Sequence, residues 1–135
     1  MTVGEKERTL TYHPDIADSP FSTRQLLRLE QALRSADQYT GLRFSVYVGD
    51  LEEPVREHAV RLHAQLADAD KAVLIAVSPN QRVLEIVTGA TARKRISDRE
   101  AKLAALSMVS SFSGGDLAGG IISGLDQLAN HAGRG

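Results

Sequence analysis

The chain has 135 residues, of which 42% are hydrophobic and 24% charged, values that place it with globular domains and exclude a disordered or fibrous chain. A formal net charge of -1 gives no electrostatic basis for a dedicated nucleic-acid binder, so any basic patch must be local. Cysteine is absent, which removes disulfides, thiolate nucleophiles and Cys-based zinc sites together.

Residues 1–7 are charged and carry no period, so a mobile start is expected, followed by a short edge strand around Thr9 to Tyr12. Pro14, Asp15, Asp18 and Pro20 then break any regular element. Ser22 and Gln25 have capping-box spacing, and Phe21 and Leu26 form the matching hydrophobic staple. A helix is predicted from Thr23 to about Gln38, with Leu26, Leu29, Ala32, Leu33 and Ala36 toward the core. Gly41 suits the left-handed position that ends it.

Leu42 to Val48 alternates apolar with other residues and reads as a strand. After the Gly49-Asp50 turn, a second helix is expected from Pro54 to Ala69, burying Val55, Ala59, Leu62 and Leu66. Ala72 to Val77 is a continuous apolar run, Ser78-Pro79-Asn80-Gln81 is turn chemistry, and Val83 to Thr88 returns with Glu85 as its only charge. These make a buried hairpin. Strand, crossover helix and strand form a βαβ unit with parallel strands, to which the hairpin adds an antiparallel one.

A loop follows Gly89 and carries three consecutive bases, Arg93-Lys94-Arg95. Ser97 and Glu100 again have capping-box spacing and open a third helix that carries Ala101, Ala104, Ala105, Met108, Val109 and Phe112. Ser113-Gly114-Gly115 breaks it, and a fourth helix starts near Asp116 with Leu117, Ile121, Ile122, Leu125, Leu128 and Ala129. The fold expected is α/β: a mixed, mainly parallel sheet of three to four strands packed by about four helices in an α/β/α sandwich. Residues 1–20 read as a flexible N-terminal segment, 21–131 as one domain and 132–135 as a disordered tail. No signal-peptide h-region or membrane-length apolar run is present, so the cytoplasm is the expected compartment.

Asp50, Asp98 and Asp116 are the carboxylates placed on loops or helix starts, and carboxylate oxygens are what Ca²⁺ and Mg²⁺ require. Asp50 ends the first parallel strand, the edge where open α/β sheets place ligands. Asp98 follows the antiparallel strand and belongs at the other edge. A third helix of about 14 residues rises about 20 Å, enough to return Asp116 toward Asp50. Helix capping is the plainer reading of Asp98 and Asp116, and a turn that of Asp50. Arg93, Lys94 and Arg95, with Arg99 and Lys102, form a basic cluster that suits a phosphorylated ligand, an acidic protein partner or an anionic membrane surface; a solvated loop is the plainer reading.

Gly115 and Gly120 have P-loop spacing, but Ile121 and Ile122 stand where Lys and Ser or Thr would contact phosphate, and no strand precedes them. That reading is rejected. Gly120 and Gly124, four apart on a helix, instead suit close approach of another element, within the domain or in a dimer. His58 and His63 lie about 140° apart around a helix and cannot share a metal as an i, i+4 pair would.

The order of elements resembles the TPM domain family, to which a thylakoid-lumen acid phosphatase and several membrane-anchored bacterial proteins belong. The motifs that carry the resemblance are Tyr39-Thr40-Gly41-Leu42 before the first strand, the run from Val73 to Gly89, Ser97-Asp98 opening a helix, and Gly115-Asp116 with Gly119. The family usually follows its strand-ending glycine with a second glycine and an acidic residue, whereas this chain reads Gly89-Ala90-Thr91-Ala92-Arg93. The resemblance implies a binding or accessory module without efficient catalysis. The alternative it implies is a phosphomonoester hydrolase using Ca²⁺ or Mg²⁺ at Asp50 and Asp116.

Overall fold

A computed structural model describes residues 10–12 and 21–135. The mobile start expected over residues 1–7, and the breakers from Pro14 to Pro20, lie outside the described residues. Four strands form one sheet in the order β1 (Leu10–Tyr12), β2 (Arg43–Val48), β3 (Ala72–Ser78), β4 (Val83–Thr88). β1 and β2 pair in parallel, as do β2 and β3, and β4 returns antiparallel to β3. Among the described residues, five α-helices accompany the sheet: α1 (Thr23–Thr40), α2 (Val55–Ala64), the single turn α3 (Ala90–Arg93), α4 (Asp98–Gly114) and α5 (Leu117–Ala132).

All seven residues of β3 are buried, because its side chains alternate between two cores. Val73, Ile75 and Val77 join Phe44, Val46, Leu84 and Ile86 beneath α1, α4 and α5. Leu74 and Ala76 face the smaller cluster built on Ala59 of α2, with Leu62 and Leu66 packed against it. The result is the expected α/β/α arrangement, with one thick and one thin helical layer.

Local capping sets the helix starts. Both predicted capping boxes form: Ser22 accepts from the Gln25 N–H while Gln25 Oε1 accepts from the Ser22 N–H, and Ser97 and Glu100 do the same. Each such cap stabilises its helix by about 1 kcal/mol. Gly41 closes α1 at φ 79°, in the left-handed region as expected. α2 is shorter than its sequence suggests, stopping at Ala64 instead of Ala69, and Pro54 precedes it as N-cap. The buried His63 ring donates from Nε2 to the Ala72 carbonyl, 3.0 Å away, and Asp68 turns to φ 52° and pairs with Arg43. These contacts fold residues 65–71 back toward β3. The loop after Gly89 likewise contains a helical turn, α3, closed by the Arg93 N–H on the Gly89 carbonyl.

α4 and α5 pack tightly because Gly120 and Gly124 have no side chains at the contact: Ser111 sits over the first and Met108 over the second. Their close approach is thus within the domain. The far ends of the two helices meet where Glu100 contacts His131 at 3.1 Å. Residues 133–135 also lie against the domain, the Gly135 N–H donating to Tyr39 O and Arg134 stacking on the Tyr39 ring.

Gly89 is tied to its position by space, since its backbone (φ -71°, ψ 172°) suits any residue but a Cβ would run into the carbonyl oxygens of Ala69 and Asp70. Gly89→Ala should therefore destabilise the domain by about 3 kcal/mol in urea unfolding. The Ser97 N–H, with the His131 ring, holds the Glu100 carboxyl below its ordinary value of 4.5. A depressed carboxyl stabilises the fold above its ordinary pKa and loses that contribution as pH falls through the lower folded value. Acid unfolding should accordingly steepen below about pH 4.5 in the natural chain and be less steep in Glu100→Gln.

Candidate functional site

At the turn end of the sheet, Gln81 ties the hairpin to the loop after β2. Its side chain accepts from the Leu51 N–H at 2.7 Å and donates to the Leu51 carbonyl at 2.9 Å, and Ser78 Oγ donates to it at 2.6 Å. Asp50 stands beside this clasp, accepting from Asn80 Nδ2 at 3.3 Å, while its carbonyl accepts from the Tyr47 hydroxyl. Burial, with the negative charges of Asp50 and Glu52 nearby, pushes the Tyr47 phenol above its ordinary range. Arg82 reaches from the same turn to Ser113 Oγ at 3.3 Å and over the Phe112 ring. That contact brings the end of α4, and the start of α5 after it, to the turn end of the sheet. There Asp116 accepts from the Gly119 N–H as the cap of α5.

Asp98 opens α4 at its other end, 3.8 Å from Arg93. Among the described residues, no three His, Asp or Glu side chains gather as a metal cage, so Asp50, Asp98 and Asp116 do not form one cluster. His58 Nδ1 accepts from the Glu52 N–H. His13 lies outside the described residues.

The basic trio is divided by its contacts. Arg93 donates to the Thr88 carbonyl at 2.7 Å as well as approaching Asp98. Arg95 turns to the opposite side and grips the carbonyls of Thr40, Ala132 and Gly133, so that it ties the C-terminal ends of α1 and α5 together. Lys94 is exposed.

A groove of about 550 Å³ runs between β4 and α4. Leu84 and Ile86 from the strand and Ala101, Ala105 and Val109 from the helix give it an apolar floor. Arg56, Glu85, Asp98 and Lys102 form a charged rim, joined by Leu106, which is 63% exposed. Small alanines on α4 are what leave the space open. Next to Leu106, Leu103 is also an exposed large apolar residue. This groove was not evident from the sequence, because it joins residues far apart in the chain. The local signs were Leu103 and Leu106 outside the buried stripe of α4, and Glu85 within an otherwise apolar strand.

Among the described residues, no strand pairs with the outer side of β4, so the strand side of the groove is a free sheet edge. The Gly89 N–H donates to the Ala72 carbonyl, so those two residues form a hydrogen-bonded pair of the antiparallel ladder. Alternation then makes Val87 with Leu74, and Glu85 with Ala76, bonded pairs. Leu84, Ile86 and Thr88 direct their backbone groups away from β3. Two of the outward carbonyls are covered by arginines: Ile86 by Arg56 at 2.8 Å and Thr88 by Arg93 at 2.7 Å. Arg56 also pairs with Glu85 at 3.0 Å.

The placement of Arg95 generates a stability prediction. Arg95→Ala leaves three helix-terminal carbonyls without their charged donor and should cost about 2–3 kcal/mol in chemical denaturation. Arg95→Lys, whose single ammonium cannot span the three oxygens, should recover only part of it.

Comparison with known proteins places this geometry in a group. Residues 8–129 match the family described as a domain of unknown function, DUF5130. The chain is 34% identical over 110 residues to uncharacterized proteins from two strains of Mycobacterium tuberculosis, a match covering 82% of this chain and 66% of each relative. It therefore spans just under two thirds of the length of those relatives. Three solution structures are similar in fold. The N-terminal domain of a P. gingivalis protein has a TM-score of 0.75 at 17% identity, covering 94% of this chain and 83% of that one. The N-terminal domain of a Corynebacterium glutamicum protein gives 0.71 at 14%, covering 96% and 80%. The BA42 protein of the psychrophilic Bizionia argentinensis gives 0.73 at 17%, covering 85% and 83%. On the family match and the mycobacterial relatives, the chain belongs to the DUF5130 family.

Proposed function

We propose that this domain, which resembles TPM domains, is a binding or accessory module without efficient catalysis, and that the β4–α4 groove is its binding surface. The groove carries the reading: an apolar floor of ligand-sized volume, bordered by exposed Leu106 and a charged rim, has the composition of a recognition site. The side chains first considered for chemistry have structural duties that fit this reading. Asp116 caps α5, Asp50 belongs to the Gln81 clasp region, and Arg95 joins two helix ends. Gly89, where TPM domains usually continue with glycine and an acidic residue, is followed here by Ala90 and packs against backbone. The net charge of -1 supports a protein partner over nucleic acid, in a cytoplasmic setting.

A second reading has one observation in its favour. The Arg82 contact to Ser113 brings the start of α5 to the turn end of the sheet, where Asp50 lies, and so supports a Ca²⁺- or Mg²⁺-dependent phosphomonoester hydrolase using Asp50 and Asp116. Arg93 and Lys94, the cations open to a phosphorylated ligand or an anionic membrane surface, lie at the other end of α4 and would form a site separate from Asp50 and Asp116. Thermal unfolding with and without millimolar Ca²⁺ or Mg²⁺, run beside hydrolysis of a generic phosphomonoester, separates the two. The binding-module reading expects no metal-dependent rise in Tm and no turnover. Turnover that disappears in Asp116→Asn while the fold is retained would overturn it.

A further inference from the structure

We infer that the β4 edge takes an extended acidic peptide as a fifth strand, laid in the groove over α4; this rests on the reading of the groove as the binding surface. An added strand needs free backbone groups at alternate positions. Leu84 and Ile86 supply them: neither N–H meets an acceptor among the described residues, and both residues point their backbone away from β3. It also needs room beside the sheet for alternate side chains. Ala101 and Ala105 leave that room, and Val109 and Leu106 wall it.

Charge selects the occupant. Two cations, Arg56 and Lys102, and two carboxylates, Glu85 and Asp98, line the groove, and Arg93 stands just beyond it, beside Asp98 and Thr88. Arg56 is matched to Glu85 and Arg93 lies near Asp98, whereas Lys102 has no partner among the described residues. Arg56 and Arg93 guard the edge by holding the carbonyls of Ile86 and Thr88, as charged side chains on edge strands commonly do. Their side chains are about half exposed, so they can swing aside. When a peptide N–H takes over either carbonyl, the displaced guanidinium needs an acceptor, and a carboxylate on the peptide provides it. A neutral or basic strand would leave Lys102 unmatched and the displaced guanidiniums with only their ion pairs to Glu85 and Asp98. A second copy of this chain would add a second Lys102, with its Glu85 and Asp98 already engaged by Arg56 and Arg93, which disfavours pairing of two β4 edges.

The test is selection of random dodecapeptides displayed on phage against the full chain, with Ala105→Trp, which fills the groove, as counter-selection. Selected peptides are then made synthetically and titrated into ¹⁵N-labelled protein. The expected result is a set of sequences alternating apolar and acidic residues that shift the Leu84 and Ile86 amides and show backbone-to-backbone NOEs to β4. Methylating alternate peptide nitrogens should abolish binding, and Lys102→Glu should weaken it about tenfold while Lys102→Gln weakens it less. Peptides that bind as helices on Leu103 and Leu106, without touching the β4 amides, would overturn strand addition but leave the groove as a binding surface. Selected peptides without acidic residues, or dimerisation of the free chain through β4, would also overturn the inference. No enrichment over Ala105→Trp would overturn the inference and the groove reading together.

Discussion

The two-sided burial of β3 is the constraint on which the rest of the structure depends. A strand with all seven residues buried must have a helical layer on each face and a strand on each side. β2 fills one side in parallel, after the α2 crossover, and β4 fills the other by the shortest route, a four-residue hairpin turn. Using the hairpin for that purpose leaves β4, among the described residues, with a strand neighbour on one side only. The open edge is therefore a consequence of how the chain completes its core.

What lies beside that edge is determined by helix packing. Gly120 and Gly124 let α5 approach Ser111 and Met108 closely, and the Arg95 grip on Thr40, Ala132 and Gly133 ties α5 to α1. α4 is thereby set next to β4, with Ala101 and Ala105 facing the gap. Short side chains there leave a groove where a larger residue would have completed the core. Arg56 and Arg93 keep the exposed carbonyls occupied in the free protein, which limits indiscriminate pairing of the edge. The two guanidiniums that protect the edge are the ones the proposed strand would displace.

Features with a local cause were legible in the sequence. Both capping boxes, the left-handed Gly41, the hairpin and the alternation of β2 depend on residues a few positions apart, and the structure forms each of them. The edge strand expected near Thr9 to Tyr12 is present as Leu10–Tyr12. Features set by distant contacts were not legible. The early end of α2 depends on His63 reaching Ala72, and the duty of Arg95 depends on carbonyls 37 to 55 positions away. The groove joins Arg56, β4 and α4, which no local pattern connects. Asp50 was expected at the C-terminal end of the first parallel strand and Asp116 near it from helix length; Asn80 contacts Asp50, and Arg82 from the same turn reaches Ser113 at the end of α4.

β4 is bonded to β3 through alternate residues and, among the described residues, is open through the others. Amide hydrogen exchange of the free protein, read residue by residue from Leu84 to Val87, tests this most directly. Exchange should be slow at Glu85 and Val87 and much faster at Leu84 and Ile86. Equal protection at all four positions would contradict it, because the outer edge would then already be paired.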